Sequence, residues 1–453
     1  MDSLVVLLPP LVALVLALVT RNIYTALPAG ILTSETILVG GNPGAGFLES
    51  INRIADTFSD SGNVNVLLFS LIIGIMIVYM RDSGGVSALA AAMLKGPFSR
   101  TRRRAELSVA TIGTGLFVET YISLFSTGIL GRALYDAHKL SRERLAYIID
   151  STSSPVSVIL LINAWGAYAE RLVNPFVAEN STRVVVGSVG WNFYAFLALF
   201  LVFYVACSGK VFGPMKSTSF DPQRSETERH PEPTKPVYMW LPILLLVWGF
   251  FVFMYQTGGG NITAGNGSKS ILWSIIISVL VLGILLRVNR VFSGAELQQK
   301  AFSGIGEMVP IVTIFLFALS FGASIRDLGT GEYVAGVGTA YFPSFAIPAA
   351  LFVMAGIISF ITGTSWGTYG ILIPIAMPLA AASGIPSALA LGAVLGGGVF
   401  GDHCSPISDS TLMASVASGS NHMNHVLTQL PYAVLAAVVS ALLYLGAGVW
   451  TAV

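Results

Sequence analysis

Four acidic residues, Glu119, Asp150, Asp402 and Asp409, lie inside or at the edge of apolar stretches. At the centre of a lipid bilayer an acid costs ~2.5–3.5 kcal/mol on insertion scales, so it usually faces a cavity or a partner. Three of these acids sit in two segments rich in hydroxyls and broken by proline: Asp150-Ser151-Thr152-Ser153-Ser154-Pro155 and Asp402-His403-Cys404-Ser405-Pro406-Ile407-Ser408-Asp409. Pro155 and Pro406 each remove a helical donor and break the helix. The freed carbonyls, the hydroxyls and the carboxylates are hard oxygen ligands that suit Na⁺ or H⁺ rather than a thiol-preferring metal. Such breaks also present half-helix N-termini that can hold an anionic group.

Two further hydroxyl-bearing segments resemble hairpin tips. Gly113-Thr114-Gly115, followed by Glu119-Thr120-Tyr121, has a counterpart in Gly363-Thr364-Ser365, followed by Gly367-Thr368-Tyr369. Gly113 precedes Asp150 by 37 residues and Gly363 precedes Asp402 by 39. Two matches in the same order at similar spacing indicate an internal repeat. The candidate ion- or substrate-binding residues are Thr114, Glu119, Asp150, Ser151, Ser153, Ser154, Thr364, Ser365, Asp402, Ser405, Ser408 and Asp409. Na⁺ is expected at Asp150, Ser154, Asp402 and Ser405.

Plainer roles compete for several of them. Ser/Thr/Gly runs also mediate helix packing. Glu119 can pair with Arg132, and Asp409 can cap a helix start. His403 and Cys404 are adjacent, so they do not share a helix face, and no C-x-x-C or H-x-x-H partner makes them a zinc site. His422 and His425 either titrate near neutral pH or sit at the interface. Gly396-Gly397-Gly398 has no accompanying strand or Walker lysine, so it reads as close helix packing or local unwinding.

The elements that position these residues must lie in a membrane. Of 453 residues, 54% are apolar and only 10% charged, against about 25% charged in a soluble domain. Apolar runs at 4–20, 64–80, 191–207, 271–286 and 426–449 have the ~17–25-residue length that spans the hydrocarbon core as a helix. The first run lacks a basic flank and a small-residue cleavage site, so it reads as a spanning helix. With two cysteines, Cys207 and Cys404, there is no disulfide framework. A net charge of +1 carries no nucleic-acid signal.

Lys and Arg cluster at 95–104, 132–144, 210–235 and 287–300. The positive-inside rule places these loops in the cytoplasm. The segments 41–63 and 257–268 read as external loops, and the N-terminus as external. Both ends of 105–130 are then cytoplasmic, which makes it a re-entrant hairpin with its tip near 111–115. The expected fold is an all-α polytopic membrane protein. It is an inverted-topology repeat of about ten transmembrane helices, two re-entrant hairpins and two Pro-broken helices. The first repeat spans 1–207, with its hairpin at 105–130 and its broken helix at 145–162. A Pro-rich cytoplasmic linker covers 208–236. The second repeat spans 237–453, with its hairpin at 343–382 and its broken helix at 388–412.

The stretch Gly401-Asp402-His403-Cys404-Ser405-Pro406-Ile407-Ser408-Asp409-Ser410-Thr411 resembles the signature of the NhaC-type Na⁺/H⁺ antiporter family, in the broader ion-transporter superfamily. Gly363–Gly370 and Thr428-Gln429-Leu430-Pro431-Tyr432-Ala433 are similar to its neighbouring motifs. The resemblance implies a secondary carrier of the cytoplasmic membrane, often a homodimer, in which a transport domain slides against a scaffold in an elevator-like movement. It places Thr364, Asp402, Ser405, Ser408 and Asp409 on the family's motifs. One departure stands out. Where the family commonly carries acids, this chain has Asn421-His422-Met423-Asn424-His425, which raises the case for an organic substrate.

Two functions follow. The first is Na⁺/H⁺ antiport by alternating access, with Na⁺ as transported or coupling ion and no cofactor. The alternative is Na⁺- or H⁺-coupled transport of a small organic solute such as an amino acid or organic acid. A channel would display rings of repeated ligands, and an enzyme would need a nucleophile–base pair on one helix face; the sequence offers neither.

Overall fold

The computed structural model describes residues 4–20, 22–94, 100–117, 120–177, 180–220, 232–262, 265–331, 333–334, 336 and 343–451. Among the described residues every regular element is helical. In chain order the helices are α1 (Leu8–Thr20), α2 (Ile23–Leu38), α3 (Pro43–Asp56), α4 (Ser61–Asp82), α5 (Gly85–Leu94), α6 (Arg102–Gly115), α7 (Thr120–Ala137), α8 (Arg142–Ser151), α9 (Ser154–Ser157) and α10 (Ala164–Val173). They continue with α11 (Ser181–Ser188), α12 (Phe193–Ser208), α13 (Val237–Thr257), α14 (Gly267–Val288), α15 (Gly294–Asp327), α16 (Ile347–Thr362), α17 (Ser365–Ala382), α18 (Ser387–Cys404), α19 (Asp409–Ser418) and α20 (His422–Thr451). Among the described residues eight helices are long and apolar enough to cross a membrane, or nine if the bent pair Ile23–Leu38 and Pro43–Ser59 is one span. The protein is therefore an all-helical, multi-pass membrane protein.

Local sequence sets many boundaries. The Asn42 side chain accepts from the N–H groups of Gly44 and Ala45, with Pro43 in the first turn of α3, the arrangement that starts helices best. Asp60 caps α4 through Asn63 N–H. Ser293 and Glu296 form a reciprocal capping box at the head of the 34-residue α15. Gly209 and Gly419 end α12 and α19 in the left-handed conformation.

One body is built on α4, which packs against α14 and α15, while α13 pairs with α14. At the α4–α15 crossing, a Cβ on Gly304 would land on the backbone of Gly74, and one on Gly74 on the carbonyl of Gly304. Only glycine permits that approach. A second group forms around α18, which packs along α16 and against α17. The expected packing role of the triple glycine holds here: α18 runs unbroken through Gly396–Gly398, and a Cβ on Gly397 would meet the backbone at Phe352 of α16. Helix α19 crosses both α7 and α8.

The segment 41–63, read from sequence as an external loop, is largely helical, and α3 folds back at 119° to α2. Its apolar residues Phe47, Leu48 and Ile51 are exposed, whereas Gly46 and Ser50 pack inward. Too few of them occur in a row to register as a span. Arg53 on this helix reaches Glu35 (2.7 Å) and Asp327 (2.8 Å). Within the linker, the described part carries a short 3₁₀ turn at Gly213–Ser217. Thr234 ties to the α4–α5 turn through the Ser83 carbonyl at 2.6 Å. Residues 221–231 of the linker lie outside the described segments.

Candidate functional site

Both halves bring a hairpin end against a broken helix. In the second half α16 ends at Gly363, whose φ of +67° belongs to the left-handed region that favours glycine. Thr364 then stands at the head of α17. A Cβ on Gly363 would come within 2.7 Å of the Ile407 carbonyl, so the hairpin tip rests directly on the break between α18 and α19. In the first half the corresponding turn comes after α6, at residues 116–117, a few residues beyond the expected tip at 111–115. Gly113 of α6 packs against the Thr152 hydroxyl at the α8–α9 break, and Ser123 of α7 donates to the Gly113 carbonyl at 3.0 Å. The hairpin arms extend over Arg102–Gly115 and Thr120–Ala137 rather than 105–130, because the arginines before Ala105 already form the first turn. Glu119 lies outside the described residues.

Asp402, in the last turn of α18, is buried. Its Oδ2 accepts from Ser365 at 2.6 Å and its Oδ1 from Ser408 at 2.6 Å. The carboxylate therefore joins the start of α17 to the break. Ser408 is also the N-cap of α19, accepting from Thr411 N–H, so capping falls to Ser408 and not to Asp409. Ser405 donates to the Phe360 carbonyl at 2.7 Å, tethering the break to α16.

Asp150, in the last turn of α8, is fully buried. Its Oδ2 accepts from Gln429 Nε2 at 2.7 Å and lies 3.2 Å from His425 Nε2. Gln429 also donates to the His403 carbonyl. Ser151 lies 2.9 Å from His403 Nε2, and the Tyr194 hydroxyl lies 2.8 Å from His403 Nδ1. A continuous buried polar network thus links the two breaks: Asp150 and Ser151 on α8, His403 on α18, Gln429 and His425 on α20.

The remaining candidates divide. Ser153 donates from the break back to the Asp150 carbonyl of α8 at 2.8 Å, and Thr114 to the Ala110 carbonyl within α6 at 2.9 Å. Ser154 is fully buried and its hydroxyl has no partner among the described residues. Thr364 and Asp409 face a cavity of about 440 Å³. That cavity is walled by Tyr24, Ser126 and Trp366 together with Met80, Met308 and Met413, and the Arg81–Glu307 ion pair (3.0 Å) lies at its edge.

Sequence reading missed Gln429, His425 and Tyr194 as members of this network. Their signal was weak, because the Asp150 partner of Gln429 and His425 and the His403 partner of Tyr194 each lie more than 200 residues away. It also missed the fully buried Glu106, which pairs with Arg144 at 2.8 Å. Arg132 donates to the Ala417 carbonyl at 2.8 Å, at the end of α19; its expected pairing with Glu119 falls on a residue outside the described segments. His422 bridges Ser415 (3.1 Å) and the Pro406 carbonyl (2.7 Å), which makes it a brace for the second break. Among the described residues no three His, Cys, Asp or Glu side chains form a metal site.

An uncharacterized protein of Haemophilus influenzae is 31% identical, over 98% of this chain and 90% of its own length. The malate-2H⁺/Na⁺-lactate antiporter of Bacillus subtilis is 34% identical, over 36% of this chain and 35% of its own. Among solved structures, the Alcanivorax borkumensis YdaH transporter shares the fold with a TM-score of 0.59 at 13% identity, covering 89% of this chain and 88% of that one. A model described as the Na⁺/H⁺ antiporter family matches residues 145–449, which contain both breaks and the network between them. The chain belongs to the Na⁺/H⁺ antiporter family and is a secondary transporter.

Proposed function

We propose that the protein exchanges Na⁺ for H⁺ across the cytoplasmic membrane by alternating access. The observation that carries this reading is the pairing of two buried aspartates, Asp150 and Asp402, at two helix breaks joined by one polar network. A buried carboxylate is tolerated at membrane depth when it meets a cation, a proton or fixed donors. Exchange of one cation for another at such a group is the elementary step of antiport. In this reading the α16–α17 tip and the α18–α19 break move together past α4 and α15, which are held rigid by their glycine crossing, in an elevator-like manner. The protein works as a homodimer with its N-terminus outside. Reconstituted protein under an imposed Na⁺ gradient should drive a pH change inside the vesicles; no pH change at any starting pH would end this reading.

A second reading is favoured by the cavity beside the tip. At about 440 Å³ it falls in the ~300–1,000 Å³ range of small-molecule sites, and a bare cation needs far less. Three methionines and Trp366 give adaptable apolar walls, with the Asp409 carboxylate and the Thr364 hydroxyl as polar fixtures. An amino acid or organic acid is then carried with Na⁺ or H⁺, as the Bacillus relative's name states for malate and lactate. Thermal-shift screens of such solutes with and without Na⁺ decide: stabilisation by Na⁺ alone, to which no solute adds, removes this reading.

A further inference from the structure

The two aspartates are not equivalent. Both oxygens of Asp402 already accept a serine hydroxyl, and Ser405 is committed to the Phe360 carbonyl. Around Asp150 the accounting comes out differently. Of the four hydroxyls that follow it, Ser151 is engaged by His403, Thr152 by the Ile148 carbonyl at 2.7 Å and Ser153 by the Asp150 carbonyl. Among the described residues the Ser154 hydroxyl has no partner, nor has Asp150 Oδ1, nor Gln429 Oε1. All three residues are fully buried.

The orientation of Gln429 is fixed by its neighbours. Its amide nitrogen faces two acceptors, Asp150 Oδ2 and the His403 carbonyl. A flipped amide would set oxygen against oxygen at both, so the carbonyl oxygen is the atom left over. A buried polar atom without a partner costs ~1–3 kcal/mol, and native proteins leave few of them. Here three are carried by one carboxylate, the hydroxyl four residues along the same break, and the amide hydrogen-bonded to that carboxylate. A carboxylate, a hydroxyl and an amide carbonyl are all hard oxygen donors carrying one negative charge between them, which matches a small monovalent cation better than a divalent or thiophilic one.

We propose that the α8–α9 break is a binding site for a small alkali cation, Na⁺ or Li⁺, formed by Asp150 Oδ1, Ser154 Oγ and Gln429 Oε1 and separate from Asp402. The proposal rests on the Na⁺-coupled reading above and assigns its ion to one place. Gln429, on α20, joins the site to the last helix, so cation binding fastens α8 to α20. Asp402 then serves as the fastening of the hairpin tip.

The test is equilibrium cation binding, which needs no transport. Purified full-length protein is titrated with Na⁺, Li⁺ and K⁺ against choline while its melting is followed by tryptophan fluorescence. Wild type is stabilised by Na⁺ and Li⁺ over K⁺. Ser154→Ala raises the half-saturating Na⁺ concentration about tenfold or more, since even outer partners of metal ligands are felt on that scale. Ser154→Thr, which keeps the hydroxyl, holds the wild-type value, and Asp402→Asn keeps the Na⁺ stabilisation. An unchanged half-saturation in Ser154→Ala overturns the proposal. So does loss of Na⁺ stabilisation in Asp402→Asn with retention in Ser154→Ala, a result that leaves Na⁺/H⁺ exchange standing but moves the ion. Absence of any Na⁺ effect on wild type also overturns it, whereas failure of the exchange reading would show only in the gradient experiment.

Discussion

Ser365→Ala should unfasten the hairpin tip. The Ser365 hydroxyl donates to Asp402 Oδ2 at 2.6 Å, and this bond joins the first residue of α17 to the last turn of α18. A hydrogen bond to a charged group contributes ~1.5–3 kcal/mol. Its loss shifts the equilibrium between a seated and a lifted tip by roughly 10–150-fold, at about 1.4 kcal/mol per factor of ten. Cys404 reports this directly. It ends α18 at the edge of the break and is buried, whereas the other cysteine, Cys207, is exposed. In a Cys207→Ser background, maleimide labelling of Cys404 should be slow in the parent and faster by roughly 10–150-fold in Ser365→Ala, if labelling follows the lifted population. Ser365→Thr retains a hydroxyl and should label near the parent rate. A Cys404 labelling rate in Ser365→Ala equal to that of the parent, in a protein that melts normally, would refute the idea that Asp402 holds the tip to the break.

Three other outcomes are expected. Glu106→Gln or Arg144→Ala breaks a buried ion pair that one Nη2–Oε2 hydrogen bond also joins and should destabilise the protein by ~3–5 kcal/mol, read as loss of monodisperse protein in size-exclusion chromatography. Gly304→Leu drives a side chain into the α4 backbone at Gly74. It should cost more than the ~1–3 kcal/mol of ordinary overpacking and lower the melting temperature, whereas Gly306→Ala, which meets nothing nearby, should not. Arg132→Ala removes a cation from the C-terminal carbonyls of α19. It should cost ~1–2 kcal/mol and leave the Na⁺ stabilisation of the protein in place.

The sequence disclosed the breaks better than what surrounds them. Pro155, Pro406 and the Gly363-Thr364-Ser365 triplet are local signals, since each alters the backbone where it stands. The all-helical membrane fold followed from charge scarcity and run length. The α3 helix was hidden because an amphipathic helix lying against a bundle lacks a continuous apolar run. Glu106 was hidden because the arginines before it, Arg102 to Arg104, look like a cytoplasmic loop although they open α6. The network around Asp150 was hidden for a different reason: Gln429 and His425 are polar residues in an ordinary-looking helix, and only the fold brings them to α8. His403 stood out in the sequence only beside Cys404, with which it shares no helix face, whereas the fold holds its ring between Ser151 and Tyr194.

The central claim is that the buried aspartates at the two breaks couple Na⁺ to proton movement. Proteoliposomes holding wild type, Asp150→Asn or Asp402→Asn at matched reconstitution should be given the same Na⁺ gradient with a pH dye inside. The account predicts a Na⁺-driven pH change in wild type and none in either variant, with both variants reconstituting normally. A wild-type pH change from both variants would contradict it.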